Sequence, residues 1–214
     1  MNRQEMFIIS SIGRKTLMAV SGAFLGFFLF LHLLGNSAAF WGAKAFISYA
    51  IGLHSLPVLV LLFEIVLLSF FSIHIVLALI SYYENLRARP ERYSCRKNAG
   101  GRTWGSRTMP YTGLLILLFI LFHLLSFWGI KPMGIAAQVR HNLSRPLTAF
   151  YYLISLTALA LHVSHGFWSL WQSLGLGLRH TDLLRKSSLT VSIIGGLLFS
   201  LIPLLCLLSP NFLR

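Results

Sequence analysis

The chain has 214 residues, of which 56% are hydrophobic and only 11% are charged, and its mean hydropathy is +0.74. This composition excludes a soluble domain and is typical of a membrane protein, with one domain over residues 1–214. The net charge is +13, but the basic residues lie in short clusters between apolar runs. They indicate membrane topology and not a nucleic-acid partner.

Five apolar runs follow one another along the chain, and each reaches the ~20 residues that a helix needs to span the hydrocarbon. Only helices or closed barrels satisfy the backbone polar groups in lipid, and these runs show no alternating barrel pattern. The sequence therefore predicts an all-α membrane protein with five transmembrane helices and no strong internal repeat. The expected spans are about 17–40, 56–82, 109–130, 147–171 and 189–208.

The basic residues predict the orientation of the chain. Thirteen of them lie in the N-terminus, in the loop 83–108 and in the loop before the fifth span, and five lie on the other side. Basic loops stay in the cytoplasm. We therefore expect a cytoplasmic N-terminus and a periplasmic C-terminus.

Each of the first four spans contains a candidate ligand, namely His32, His74, His123 and His162. A histidine at membrane depth is costly without a partner, so each is a functional candidate. Depth counting puts His32 and His123 in the outer half of the bilayer, and His74 and His162 in the inner half. The two levels differ by on the order of 10–15 Å. Two pairs at matched depths predict two bis-histidine haems in a four-helix core, with the fifth helix beside it.

Small residues near these histidines support this interpretation, because a porphyrin lying against a helix needs missing side chains. The alternative is that they only pack helices together. They are Ser21, Gly22, Gly26, Gly113 and Gly166. His165 competes with His162 in the fourth span, but His162 better matches the depth of His74. The remaining histidines are expected to be solvated or interfacial, namely His54, His141 and His180.

Glu64 is the only acidic residue within the expected spans, and it lies near the level of the outer pair. A buried carboxyl group without a partner favours its neutral form. One hypothesis is that Glu64 exchanges protons near the outer haem, with His54 on the same route. The alternative is a protonated carboxyl group that hydrogen-bonds a neighbouring helix.

Three stretches carry a family resemblance: SIGRKTLMAVSG with HLLGN, SRTMPYTGLLILLFILFHLLSF, and LHVSHGFWSLWQSLG. In them the chain resembles the five-helix dihaem cytochrome b membrane anchor of succinate:quinone and quinol:fumarate oxidoreductases. The resemblance covers nearly the whole chain. It implies two haem b groups held by His32, His74, His123 and His162. The family's fourth ligand begins a His-x-x-x-Gly pattern, here His162 to Gly166, which selects His162 over His165.

The resemblance also implies a menaquinone or ubiquinone site, and Glu64 would exchange protons with this quinone. It further implies iron–sulfur and flavoprotein subunits on the cytoplasmic side of a bacterial inner membrane. The complex could further pair as a dimer. The loop 83–108 and the basic loop 179–186 are expected docking surfaces or propionate partners, with ordinary positive-inside charge as the alternative. Candidate propionate contacts are Arg107, Ser106 and Gln172. Some relatives that reduce fumarate carry a glutamate two residues before the fourth ligand, where this chain has Ala160.

Together these features predict a subunit that passes electrons between membrane quinone and a cytoplasmic iron–sulfur subunit. The quinone chemistry would occur here and the dicarboxylate chemistry in another chain. One alternative is the cytochrome b subunit of a hydrogenase or formate dehydrogenase, which typically has four helices and two ligands on one helix. Another is a metal or haem transporter, which would need polar residues along a path through the bilayer.

Overall fold

The computed structural model describes residues 10–88 and 104–214, and the regular structure in these two segments is helical throughout. Five helices are long and two are short. Three 3-10 turns lie between them, at Ala38–Trp41, Pro132–Gly134 and Leu178–His180. The helices are α1 (Ser11–Ser37), α2 (Ala43–His54), α3 (Pro57–Arg87), α4 (Trp104–Phe127), α5 (Ile135–Leu143), α6 (Pro146–Ser173) and α7 (Thr181–Leu208).

The five long helices confirm the predicted fold class, since each is long and apolar enough to cross a membrane. Three of them, α1, α4 and α7, begin five to eight residues before the predicted spans. Apolar runs mark the hydrocarbon, whereas backbone hydrogen bonds continue through the polar residues beside it. In α1 the extension is capped, because the Ser10 hydroxyl accepts from the Gly13 amide at 3.0 Å.

Consecutive long helices run in opposite directions. At the end of the bundle where α1 begins, the Arg14 guanidinium donates to the Glu84 carboxylate near the end of α3 at 2.9 Å. We call this the Ser11 end. Most of the basic loop 83–108 lies outside the described residues, and so does the N-terminus before Ser10.

Helix α6 is the centre of the bundle, because it packs against α1, α4 and α7. Its contact with α7 is close, since a Cβ added to Gly196 would lie 3.0 Å from the Ala160 Cβ. On α7, Ser188 and Ser192 are buried, and together with Gly196 they recur every four residues along the helix. Small residues at this spacing let transmembrane helices approach closely.

The largest buried apolar cluster lies at the end opposite Ser11. There α2 and α5 cover the ends of α6 and α7, with Phe46 and Val139 packed near Tyr152 and Cys206. Large apolar side chains elsewhere on the long helices are mostly exposed. This distribution fits a bundle whose outer surface faces lipid tails.

We expect a methyl group at Gly105 to separate α4 from α6. The added Cβ would lie 2.8 Å from the His165 Cβ and 3.1 Å from the Leu161 carbonyl oxygen, and neither atom can move without backbone displacement. Gly105→Ala should therefore lower the unfolding free energy by about 1–3 kcal/mol. Thermal unfolding of the detergent-solubilised protein measures this.

Gly195→Ala on α7 is the matched control, since its Cβ would meet no atom within 4 Å. Equal melting temperatures for the two variants would contradict the predicted close contact at Gly105.

Candidate functional site

The four predicted histidines form two facing pairs inside the bundle. His32 on α1 faces His123 on α4 with ring centroids 6.0 Å apart, and the ring planes are nearly perpendicular at 87°. His74 on α3 faces His162 on α6 with centroids 6.4 Å apart and planes at 65°. All four side chains are partly buried. The structure thus brings together the two pairs expected from depth counting.

The separation within each pair fits a metal atom between the rings. Two imidazoles bound to opposite sides of one metal, each through a bond of about 2 Å, have ring centroids about 6 Å apart. Within residues 10–88 and 104–214, no group of three or more His, Cys, Asp or Glu side chains could hold a metal ion. Each pair therefore offers two nitrogen ligands, the number that a porphyrin iron needs as axial ligands.

The His74 imidazole is oriented by a hydroxyl group on α1. The Ser21 hydroxyl donates its only proton to the Met18 carbonyl at 3.0 Å, and its oxygen lies 3.1 Å from His74 Nδ1. A hydroxyl has one proton, so both contacts are hydrogen bonds when the Ser21 oxygen accepts from Nδ1 and Nδ1 carries the hydrogen. The unprotonated Nε2 of His74 is then free to bind a metal.

His162 has the same arrangement with α4. The Thr112 hydroxyl donates to its own helix, 3.0 Å from the Thr108 carbonyl oxygen, and its oxygen lies 3.3 Å from His162 Nδ1. The same reasoning leaves Nε2 of His162 free to bind a metal. Both members of this pair are therefore held through Nδ1 by a hydroxyl group from another helix.

The other pair is held differently. His123 Nδ1 lies 3.1 Å from the hydroxyl of buried Tyr152, and in the described segments that hydroxyl has no other hydrogen-bond partner. The His32 ring has no hydrogen bond to a described residue, and it contacts aromatic rings instead. It stacks on Phe28 at 5.4 Å and lies 6.0 Å from Phe199.

Two of the predicted small residues lie against imidazole rings. A Cβ added to Gly22 would be 3.4 Å from His74 Cε1, and one added to Gly113 would be 3.6 Å from His162 Cε1. A Cβ at Gly26 or Gly166 would meet no atom within 4 Å, so open space lies beside both. The absent side chains thus bring helix backbones close to the His74–His162 pair.

The two pairs lie at different levels of the bundle. Ser21 marks the level of His74 on α1, and His32 lies eleven residues further along the same helix. Thr112 and His123 on α4 are also eleven residues apart. At 1.5 Å per residue the levels differ by about 16 Å, with the His74–His162 pair nearer the Ser11 end.

Glu64 lies near the level of His32 but its side chain is exposed. The neighbouring Phe63 ring is 6.1 Å from that of Phe28, which stacks on His32. Glu64 makes no hydrogen bond or ion pair with the described residues. The alternative of a carboxyl group bonded to a neighbouring helix therefore has no partner in this part of the chain.

The candidate propionate contacts lie toward the Ser11 end of the bundle. Ser106 and Arg107 follow Gly105, which packs on His165, and the Arg107 guanidinium lies 5.8 Å from the exposed Trp104 ring centroid. Gln172 is exposed and lies ten residues, or about 15 Å, beyond His162. Arg107 is the nearest of the three to the level of the His74–His162 pair, because it lies five residues before Thr112 on α4.

Depth counting missed the hydroxyl partners Thr112 and Tyr152 and treated Ser21 only as a small residue. A short sequence signal marks two of them. Ser21-Gly22 on α1 and Thr112-Gly113 on α4 are each followed, after nine residues, by a histidine. We call this pattern the local repeat.

The fold and the paired imidazoles define a multi-pass helical membrane protein with two candidate bis-histidine sites. Residues 87–202 match the family of the succinate dehydrogenase/fumarate reductase transmembrane subunit. The chain is 30% identical over 154 residues to the succinate dehydrogenase cytochrome b558 subunit of Bacillus subtilis. The aligned region covers 68% of this chain and 70% of that protein. No solved structure matches the chain. The chain therefore belongs to the succinate dehydrogenase/fumarate reductase transmembrane subunit family, as the resemblance predicted.

Tyr152→Phe should remove the hydroxyl beside His123 while keeping the aromatic ring. The imidazole Nδ1 would lose its hydrogen-bond partner, which costs about 1–2 kcal/mol of unfolding free energy. Thermal unfolding measures this, with Tyr151→Phe as control, since the neighbouring Tyr151 contributes ring contacts. The assigned hydrogen bond would be wrong if both variants unfolded at the same temperature.

Proposed function

We propose that this chain is the membrane anchor and electron-transfer subunit of a succinate:quinone or quinol:fumarate oxidoreductase, with two haem b groups. His32 and His123 would hold one haem, and His74 and His162 the other. The observation that supports this most is the pair of centroid separations, 6.0 and 6.4 Å, which match two imidazoles on opposite sides of a metal atom. Haem b supplies reversible one-electron oxidation and reduction.

The chain's own residues prepare these positions. Hydroxyl groups hold three of the four imidazoles through Nδ1, which fixes the rings before a metal binds. The surrounding helices are apolar, so they exclude water and lower the local dielectric constant around the imidazoles. The separation of the two levels places one pair toward each end of the bundle, as transfer across a membrane requires.

The family supports the remaining parts of the proposal. The flavoprotein and iron–sulfur subunits would dock at the Ser11 end, which the basic residues assign to the cytoplasm of a bacterial inner membrane. The dicarboxylate chemistry would then occur in the flavoprotein subunit. The C-terminus would be periplasmic, with residues 1–214 forming one domain, and the complex could pair as a dimer. Family membership disfavours the hydrogenase-type cytochrome and the transporter.

A menaquinone or ubiquinone would meet this subunit at the lipid-facing side of α3. Glu64 supports this position, because its carboxyl group is exposed on an apolar helix surface near the level of His32. A quinone that gains or loses electrons must exchange protons, and a carboxyl group in lipid without a protein partner can supply that exchange.

The haem assignment predicts a reduced-minus-oxidised spectrum with b-type bands and two haems per chain. His32→Ala or His123→Ala should remove one haem, and His74→Ala or His162→Ala the other, because each substitution leaves the remaining pair intact. Pyridine haemochrome quantification measures the loss.

His54→Ala is the control, since the His54 ring bonds only its own helix, with Nδ1 2.9 Å from the Ala50 carbonyl oxygen. Absence of haem from the wild-type protein would refute the proposal, and loss of both haems on removal of either histidine of one pair would refute the pairing.

Glu64→Gln should slow quinol oxidation by about 100-fold, because the amide keeps the size of the side chain but cannot exchange the proton. The haem spectrum should not change. Steady-state turnover of the purified complex with a soluble quinol measures this. Ser69→Ala on the same helix is the control, as that hydroxyl donates to the Ile65 carbonyl at 2.8 Å. Normal turnover in Glu64→Gln would remove Glu64 from the quinone chemistry.

A further inference from the structure

The His74–His162 pair has a feature that haem ligation alone does not require. Each ring is contacted through Nδ1 by a hydroxyl group of a different helix, Ser21 on α1 and Thr112 on α4. Both hydroxyls already donate their only proton to a backbone carbonyl of their own helix. Each hydroxyl makes both of its hydrogen bonds at once when the imidazole Nδ1 is the donor and the hydroxyl oxygen accepts.

We infer that Ser21 and Thr112 are positioning residues that fix the Nδ1–H tautomer of both imidazoles in this pair and lower the potential of the metal group they bind. The inference rests on the proposed function. Each hydroxyl determines which ring nitrogen is protonated, and so directs Nε2 of His74 and of His162 toward the space between the rings.

The local repeat supports the inference independently of either distance. Ser21-Gly22 and Thr112-Gly113 use the same two positions, and in each case the glycine lies against Cε1 of the imidazole that the hydroxyl contacts. The nine-residue spacing to His32 and His123 is identical. Helix α1 therefore carries His32 of one pair and the hydroxyl that orients His74 of the other. Helix α4 likewise carries His123 and the hydroxyl that orients His162.

The sign of the effect follows from the direction of the hydrogen bond. An imidazole that donates through Nδ1 becomes a more basic ligand through Nε2. A more basic ligand stabilises the oxidised metal more than the reduced metal, so the hydrogen bond lowers the midpoint potential. Removal of either hydroxyl should raise it.

A redox titration of the purified holo-complex, followed by haem absorbance, tests this. Ser21→Ala and Thr112→Val should each raise the midpoint potential of the same one of the two haem components. The low-spin electron paramagnetic resonance signal of that component should also shift, because the rings lose their fixed orientation. Tyr152→Phe should affect the other component, since Tyr152 contacts His123.

Two controls separate this role from packing. Thr112→Ser keeps the hydroxyl and should keep the wild-type potential. Thr157→Val removes an exposed hydroxyl that donates to the Leu153 carbonyl at 2.8 Å, and should shift neither component. If Thr112→Val loses haem, Ser21→Ala decides the matter, because alanine adds no bulk beside His74.

Two haems with unchanged potentials in Ser21→Ala would overturn the inference and leave the proposed function standing, as would shifts in different components for the two variants. A wild-type protein without two haems would refute the proposed function itself.

Discussion

The structure depends on the hydrogen-bonding requirement of four imidazoles inside an apolar bundle. In lipid a polar ring without a partner is costly, and water is not present to supply one. For three of the four imidazoles the hydroxyl groups that meet this need lie on neighbouring helices, so they fix how those helices align. Ser21 with His74 aligns α1 and α3, and Thr112 with His162 aligns α4 and α6. The ion pair of Arg14 with Glu84 also joins α1 to α3, nearer the Ser11 end.

The main apolar cluster borders the His32–His123 pair, since Tyr152 belongs to the cluster and contacts His123. Small residues bring α6 and α7 close together, and the main apolar cluster lies under α2 and α5 at the end opposite Ser11. The four paired histidines stay partly exposed, with ring centroids 6.0 and 6.4 Å apart in the two pairs. Close packing therefore lies on one side of the bundle and at one end. Two bridged imidazole pairs would complete the packing between α1, α3, α4 and α6.

Sequence reasoning predicted what depends on length and depth. The thickness of the hydrocarbon sets the length of an apolar run, so the five long helices and the levels of the histidines followed from counting residues. Sequence reasoning failed where the result depends on which face of a helix a residue occupies. Depth counting cannot tell that Glu64 is exposed or that Tyr152 faces His123. The two short helices, α2 and α5, were also missed, because 12 and 9 residues are too few to stand out between membrane spans.

The local repeat extends further than the hydroxyl–glycine pairs. Glu64 precedes His74 by ten residues, and Tyr152 precedes His162 by the same number. The two side chains thus occupy equivalent positions on α3 and α6, each at the level of the other pair. Tyr152 is buried and contacts His123, whereas Glu64 is exposed and His32 has only ring contacts among the described residues. In the His74–His162 pair both imidazoles therefore have equivalent hydroxyl partners. In the His32–His123 pair only one imidazole has a hydroxyl partner among the described residues. The side without this partner leaves the Glu64 carboxyl group exposed near the level of His32, where the proposed function needs a proton to enter or leave.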